Sequence, residues 1–527
     1  MSFDTFTLLL NAADFPFVSD FFQRPVIIPQ IDLPPRAGKL VTGTEEGSNK
    51  ELPQTFYAQN VMPTAEGVMS VGFEQIVPGL SGVTDFDQVI TLRDEDENVF
   101  LLAPAKGKNY IYREDVGEWV STNAFTGWTG EHVTRAYVNG RTFVCYENYN
   151  IYEYNTVADT FLPITITGLS AADIHAIGAS NNYMLAVSGI TVHWSSLVDP
   201  TDFTPNITTG AGFSIPQDIK GGIHAVGNVS SGFVIYTNKN TVGALYTNNA
   251  RAPFVFREVS NAGGVISPEL VTLDTTTGYH YAYTSAGLQK ITAQASEMLE
   301  TAITDFLAGR VYESFDLTTL TLTLEKLNEN LKVKVAYVSN RYLVISYGKI
   351  SSPQIYTHAL VLDTSLKRWG KLRIDHVDCF TYPYPNIIGD FTESPPKQSM
   401  AFLQKDGTIQ LCILDYRIKQ DQGVLLLGRY QLVRQKAITF QSLELESLVQ
   451  AYPPNVYLVI SLDGKTLSAP AALSTLYDNG NIKKYGAPTW SGSGPAPART
   501  GKNISLLAVG TFELSTGVLT LTRHGNR

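Results

Sequence analysis

Short apolar runs separated by turn residues dominate the chain. Runs at Val99–Leu102, Thr142–Tyr146, Tyr183–Val187, Phe233–Tyr236, Tyr279–Tyr283, Tyr342–Tyr347 and Met400–Leu403 each have strand length and β-forming residues. Their starts fall roughly 40 to 60 residues apart, the period of four-stranded propeller blades. Tyr183 to Val187, the turn dipeptide Ser188-Gly189 and Ile190 to Trp194 predict a hairpin. Asp199-Pro200 stops the chain from continuing as a strand, and Asp202 is placed to cap the next turn with its own carboxylate. Val138-Asn139-Gly140-Arg141 and Lys405-Asp406-Gly407-Thr408 predict two-residue type I′ turns, whose central residues need positive φ.

A second device recurs beside these runs. Tyr152-Glu-Tyr-Asn155-Thr156 leads to Phe161, Leu360-Val-Leu-Asp363-Thr364 leads to Trp369, and more loosely Ile111-Tyr112-Arg-Glu114 leads to Trp119. In each, a polar side chain serves turn N–H groups and an aromatic opens the next strand, where it fills space between blades. A β-sandwich array with hairpins of similar length gives the same signature.

One segment departs from the β pattern. Met298, Leu299, Ala302, Ile303, Phe306 and Leu307 form one stripe, which predicts a short helix from Ser296 to Leu307, stopped at Gly309. Residues 1–60, with Pro25, Pro29, Pro34 and Pro35, read as an N-terminal extended arm holding a strand or two, set against a neighbouring subunit. Residues 61–420 read as a β-propeller of about six or seven blades, with the helix inserted near 295–309. Residues 421–527 read as a C-terminal β domain: strands at Leu425–Leu432, Ile438–Glu446 and Val456–Ser461, a loop from Pro470 to Thr500 with the low-complexity run Ser491–Pro497, and two last strands. The fold class is mainly β.

Composition sharpens this. With 27 Tyr, 25 Phe, 42 Gly and 26 Pro, the chain suits many short strands joined by turns. Charged residues are sparse at 17%, so much of the surface is expected to face other protein. A formal charge of −10 argues against gripping nucleic acid, which needs a basic face, but permits a channel through which DNA slides. Cys145, Cys379 and Cys412 lie far apart and form neither a disulfide framework nor a zinc spacing, so they read as buried thiols of a reducing compartment. The N-terminus lacks a basic n-region, and no apolar run approaches the ~18 residues of a membrane helix. The sequons at Asn206, Asn228 and Asn503 are then chance matches.

Several phrases resemble the tail nozzle, or packaged-DNA stabilisation, family of podoviruses: ring-forming β-propellers at the DNA exit of short-tailed phages. These phrases are Val192-His-Trp-Ser-Ser196 with Asp199-Pro-Thr-Asp-Phe203, the Ala286–Ile291 strand before a lone helix, and an ordered C-terminal series. That series runs Gly428-x-Tyr430-Gln-Leu432, Ser461-x-Asp463-Gly464, Gly510-x-Phe512-x-Leu514-Ser515 and Gly525-x-Arg527. The resemblance covers about the last two-thirds of the chain and leaves the N-terminal arm unmatched. It implies a non-enzymatic structural protein of the virion tail, made in the host cytoplasm and assembled as a homo-oligomeric ring, a hexamer. Its partners would be other tail proteins (the adaptor or tail-tube ring, fibres or spikes) and genomic DNA passing through the lumen without sequence-specific binding. No membrane insertion is implied. The ring retains packaged DNA and allows its ejection.

The chain contains no nucleophile elbow, His-Glu-x-x-His, P-loop or Rossmann fingerprint. Ser461-Leu-Asp463-Gly464 lacks the spacing of a sialidase Asp-box and reads as a hairpin turn. The eight histidines (His132, His175, His193, His224, His280, His358, His376 and His524) are scattered. His175 and His224 share the setting Ile-His-Ala followed by Ile-Gly or Val-Gly, which fits equivalent places in two blades better than a metal site needing three ligands. Asp94–Glu97 is an acidic run without the glycine of a calcium loop; it reads as a solvated turn and is the densest candidate for an acidic channel wall. No catalytic, cofactor or metal residue is assigned. The alternatives are a carbohydrate-binding or glycosidase propeller and a bacterial propeller scaffold; a portal or terminase gene next door would favour the phage reading.

Overall fold

The computed structural model describes residues 4–11, 26–27, 40–41, 55–65, 67–83, 86–93, 99–105, 108–113, 116–124, 128, 132–155, 160–249, 251–274, 277–300, 312–316, 321–325, 332–348, 355–383, 399–414, 423–431, 437–447, 455–461, 471–479, 482–489 and 500–523. Among these the chain is mainly β, with two single-turn 3₁₀ segments and no α-helix. Four-stranded antiparallel meanders, the form of propeller blades, follow one another.

Their ranges are 90–124, 133–163, 176–214, 223–263, 271–300 and 332–376, here units one to six. Unit seven takes three strands from 378–413, and its fourth strand, Gly72–Val77, comes from near the other end of the chain and pairs with Ile409–Ile413. Each of the seven apolar runs expected from the sequence lies in the second strand of one unit. A second strand is covered on both faces and by a neighbour on each edge, so it reads as a continuous apolar run. Successive units enclose apolar clusters: Ile111 and Phe161 between one and two, Phe143 and Met184 between two and three, Leu185 and Phe233 between three and four, and Leu288 and Trp369 within the cluster spanning four to six. The series continues between units six and seven around Val361 and Phe402 and returns between seven and one, where Phe380 and Leu411 pack with Leu101 and Trp119.

The turn-and-aromatic device marks the hairpin between third and fourth strands. Phe161 pairs opposite Tyr154, Trp369 opposite Leu362 and Trp119 opposite Tyr112, and each aromatic is buried in a cluster shared with a neighbouring unit. Asp363 Oδ1 accepts the N–H groups of Ser365 (3.0 Å) and Leu366 (3.1 Å) and the Ser365 hydroxyl (2.6 Å), so the turn's orphan donors end on one carboxylate. Glu114 of the loosest copy lies outside the described residues.

Several expectations need correction. Ser296–Glu300 is a strand paired with Gly287–Ile291, not the start of a helix; residues 301–309 of the expected helix lie outside the described residues. A rim strand is covered on one side only, and its mix of apolar and acidic residues satisfies helical and strand spacing alike; pairing to its neighbour decides. At the tip of unit seven only Gly407 has positive φ (90°), so Asp406-Gly407 is not a type I′ pair. Gly407 N–H donates to Gln404 O and Gln404 N–H to Thr408 O, a three-residue loop with the glycine in the left-handed position. Asn139 (53°) and Gly140 (79°) do form the expected I′ turn.

Two further sheets carry the ends of the chain. One contains Gly423–Gln431, Asn455–Ser461 and Asn503–Gly510; the other contains Ile438–Ser447 and Glu513–Arg523 and continues through Val68–Ser70 and Val61–Pro63 into unit six. They face each other across a core of Leu425, Leu458 and Leu506 against Phe440, Leu443 and Leu519. Within residues 1–60, Asp4–Asn11 pairs with Glu513–Arg523 and Thr55–Gln59 with Gly423–Gln431 of the same chain. The stretch expected as a loop after Pro470 holds the hairpin Ser474–Asp478/Ile482–Gly486, closed where Asn479 Oδ1 accepts the Ile482 N–H at 2.6 Å.

Candidate functional site

The first strands of units two to seven lie one against the next, and titratable residues stand at or just before the starts of the first strands. Asp87 precedes Ile90–Arg93, His132 precedes Val133–Val138 and His175 precedes Ala176–Ser180. His224 lies in Ile223–Val229, Glu269 precedes Val271–Asp274, Lys332 and Lys334 lie in Lys332–Val338, and Asp378 opens Asp378–Tyr382.

Within this set an ion pair joins three units. Lys334 Nζ of unit six lies 2.9 Å from Asp378 Oδ1 of unit seven, both side chains being buried. Asp378 Oδ2 accepts the Val89 N–H at 2.7 Å, from the segment entering unit one, and Oδ1 accepts its neighbour's amide from Cys379 at 2.8 Å. Burial pulls the Lys334 ammonium down, but Asp378 and Glu269 more than offset this and leave it raised, so Lys334 stays charged. Burial likewise pushes the Glu269 carboxyl up, and Lys334, Lys332 and His132 outweigh it, leaving it lowered. Tyr356 OH donates to Glu269 Oε2 at 3.3 Å, and Lys332 Nζ sits 5.1 Å from the Tyr356 ring centre. Opposite charges are thus interleaved and hydrogen-bonded, an arrangement that fixes unit against unit. Sequence reasoning missed this lock. Its only local trace is Lys at alternate places of an otherwise apolar strand, Lys332-Val-Lys334-Val.

His175 and His224 stand at corresponding places in units three and four, as their shared setting implied. The glycine three residues after each explains the motif: a Cβ on Gly178 would lie 3.3 Å from Val226 Cγ2, and one on Gly227 only 2.3 Å from His280 Cε1. In each unit the glycine admits a side chain of the next. His175 Nε2 accepts the Gly189 N–H at 2.8 Å, and His224 is held below its usual value first by burial and then by His132. Among the described residues no group of three or more His, Cys, Asp or Glu is placed to hold a metal ion. Cys145, Cys379 and Cys412 are free thiols and buried. Asp94–Glu97, Asp463-Gly464 and His524 lie outside the described residues.

The second candidate is on the rim. The hairpin read from Tyr183 to Trp194 is present, but its two-residue turn is Gly189-Ile190, opened by Gly189 (φ 61°), rather than Ser188-Gly189: Ser188 is still in the strand, opposite Thr191. Residues 195–211 then form a long insert before Gly212–Ser214. It is built by side chains capping their own backbone: Asp199 Oδ1 accepts Thr201 N–H, Asp202 Oδ1 accepts Thr204 N–H and Asn206 Oδ1 accepts Thr208 N–H, at 2.8–2.9 Å. Trp194 Nε1 donates to Gly210 O at 2.9 Å, and the buried Phe203 donates its N–H to Thr167 O. Asp202 therefore caps its turn as expected. On this insert Val198 is 83% exposed and Ile207 66%, and Phe213 of the following strand 55%, with Leu197, Ile190 and Ile215 exposed nearby in sequence.

No family model matches this chain, and no curated protein matches it either. Solved structures similar to it include the WD40 β-propeller domain of Doa1, at 11% identity and a TM-score of 0.37, covering 66% of this chain and 98% of that one. The β-propeller domain of Myceliophteria thermophila Cps50 (Swd1) gives 11% identity and 0.37, covering 66% and 100%. YCF48 bound to D1 peptide gives 8% and 0.38, covering 65% and 97%. Among the described residues no helix is long and apolar enough to cross a membrane.

Proposed function

We propose that this chain is a structural virion protein of a short-tailed phage, the nozzle or hub that closes the DNA exit channel, retains packaged DNA and lets it leave. In this reading the seven units are the blades of one closed propeller, and the paired terminal sheets are its C-terminal β domain. Copies assemble head to tail into a ring, a hexamer, on the preceding tail ring, and the DNA lumen lies between copies. The chain acts mechanically and turns over no substrate.

The observation that carries the assembly is the rim insert of unit three. Six of the large exposed apolar residues fall within 190–215: Leu197, Val198 and Ile207 on the insert, which is held by its own Asx turns, Ile190 in the hairpin turn before it, and Phe213 and Ile215 in and just after the strand that follows it. Exposed apolar surface on a pre-ordered frame costs little ordering entropy on association and suits a protein interface. Phage identity itself rests on the sequence resemblance. The test is assembly: tail complexes are isolated with the natural chain or with Val198→Asp/Ile207→Asp, whose substitutions lie on exposed side chains. The natural chain enters a closed ring; the variant keeps its melting temperature but does not. A variant that assembles normally would remove the rim from the contact.

A further inference from the structure

Residues 55–77 are strand in four different places within one short run. Thr55–Gln59 pairs with Gly423–Gln431 of one terminal sheet. Val61–Pro63 joins the outer strand of unit six, with Val61 opposite Lys371. Val68–Ser70 pairs with Glu513–Arg523 of the other terminal sheet, and Gly72–Val77 completes unit seven. Asn60, at φ 53°, makes the first switch: its left-handed backbone breaks the pairing and turns the chain into the next sheet.

Each contact is fitted. A Cβ on Gly370 would lie 2.6 Å from Met62 Sδ, and one on Gly423 would lie 2.6 Å from Ser70 Cβ, so both glycines are sockets for this segment. Ser70 Oγ accepts the Phe512 N–H at 2.9 Å, and Ser70 N–H donates to Phe512 O at 2.8 Å. Asn60 Oδ1 accepts the Arg373 N–H at 2.9 Å, and the buried Lys371 ammonium lies 4.9 Å from the Tyr57 ring centre. Tyr57, Val61, Met62, Val68 and Val71 are all fully or nearly fully buried.

We infer that residues 55–77 act as a latch, so that completion of the seven-unit body at unit seven and seating of the terminal sheets are one cooperative event. A segment that must leave all four pairings to leave any gives the two bodies a common opening free energy. Native-state hydrogen exchange of the full chain tests this, reading amides of Asp378–Tyr382 for the seven-unit body and Asn503–Gly510 for the terminal sheets. Ser70→Ala disturbs the terminal-sheet side, and Gly370→Ala disturbs the unit-six side. Should Gly370→Ala fail to fold, Met62→Ala weakens the same contact by a cavity instead of a clash. Each variant is expected to speed exchange at both reporters by the same factor, about tenfold for one lost buried hydrogen bond pair or a tight clash. Acceleration confined to the body carrying the substitution, or none at either reporter, would overturn the latch.

Discussion

Gly178 and Gly227 occupy one place in adjacent units, yet a side chain added at each meets a different neighbour. At Gly178 a methyl would press on the Val226 Cγ2 methyl at 3.3 Å, which can give, and reach the Val226 carbonyl oxygen only at ordinary contact, 3.4 Å; at Gly227 it would enter the ring of His280, which is fixed by a 2.8 Å hydrogen bond with Tyr236 OH. Gly227→Ala is therefore expected to destabilise by about 2–3 kcal/mol and Gly178→Ala by under about 1 kcal/mol, read from denaturant midpoints. Equal effects would mean the motif is only local turn chemistry. His280 and His376 bear a second prediction. Burial holds each well below its usual value, at about 4, and both stay neutral. His376 Nδ1 donates to Ile374 O and Nε2 accepts from Ser346 Oγ. Because the folded values are lowered, the stability they contribute is full above about pH 6.5 and is lost as pH falls toward about 4, roughly 3 kcal/mol for each. His376→Gln keeps a donor and an acceptor without titrating there, so its stability should fall less between about pH 7 and pH 4 than that of the natural chain. Parallel pH profiles would contradict the assignment.

At the scale of elements, the Asp363 turn shows how one side chain closes a blade hairpin. Its carboxylate serves two turn amides and a hydroxyl, and Oδ2 receives Arg341 at 2.6 Å; against burial, these partners keep its acidity above that of an ordinary aspartate. Asp363→Ala should cost about 2–4 kcal/mol, and Asp363→Asn, which keeps an acceptor for the turn, clearly less; thermal melts rank them. The elements most legible in the sequence were those covered on both faces. Tyr183–Val187 and Phe233–Tyr236 announced themselves because each is buried along its whole length between neighbouring units and so is apolar throughout. The rim strand Ser296–Glu300 was misread because a half-exposed strand permits helical spacing as well. The Lys334–Asp378 lock was invisible because its partners are brought together only when unit six meets unit seven. The sheet shared by Asp4–Asn11 and Glu513–Arg523 was invisible for the same reason, its strands coming from opposite ends of the chain.

For the whole molecule, apolar clusters pass from unit to unit and return from seven to one, while the Lys334–Asp378–Val89 connection and the Gly72–Val77 strand tie the last unit to the first. In the proposed reading this continuity makes the body a stiff building block. Under the proposed function, the net charge of −10 fits a lumen that does not hold the phosphates of passing DNA, whose repulsion is screened beyond about 8 Å at physiological salt. Acidic side chains are accordingly expected to outnumber basic ones on the inner wall of the assembled ring, a count that a uniformly basic wall would refute. The proposal itself meets its most direct test in electron cryomicroscopy of tails from particles made by the host that encodes this chain. A closed ring of copies around the tail axis, with residues 190–215 buried between neighbours, is the predicted result; a chain absent from the particles, or present as an isolated monomeric spike, would contradict it.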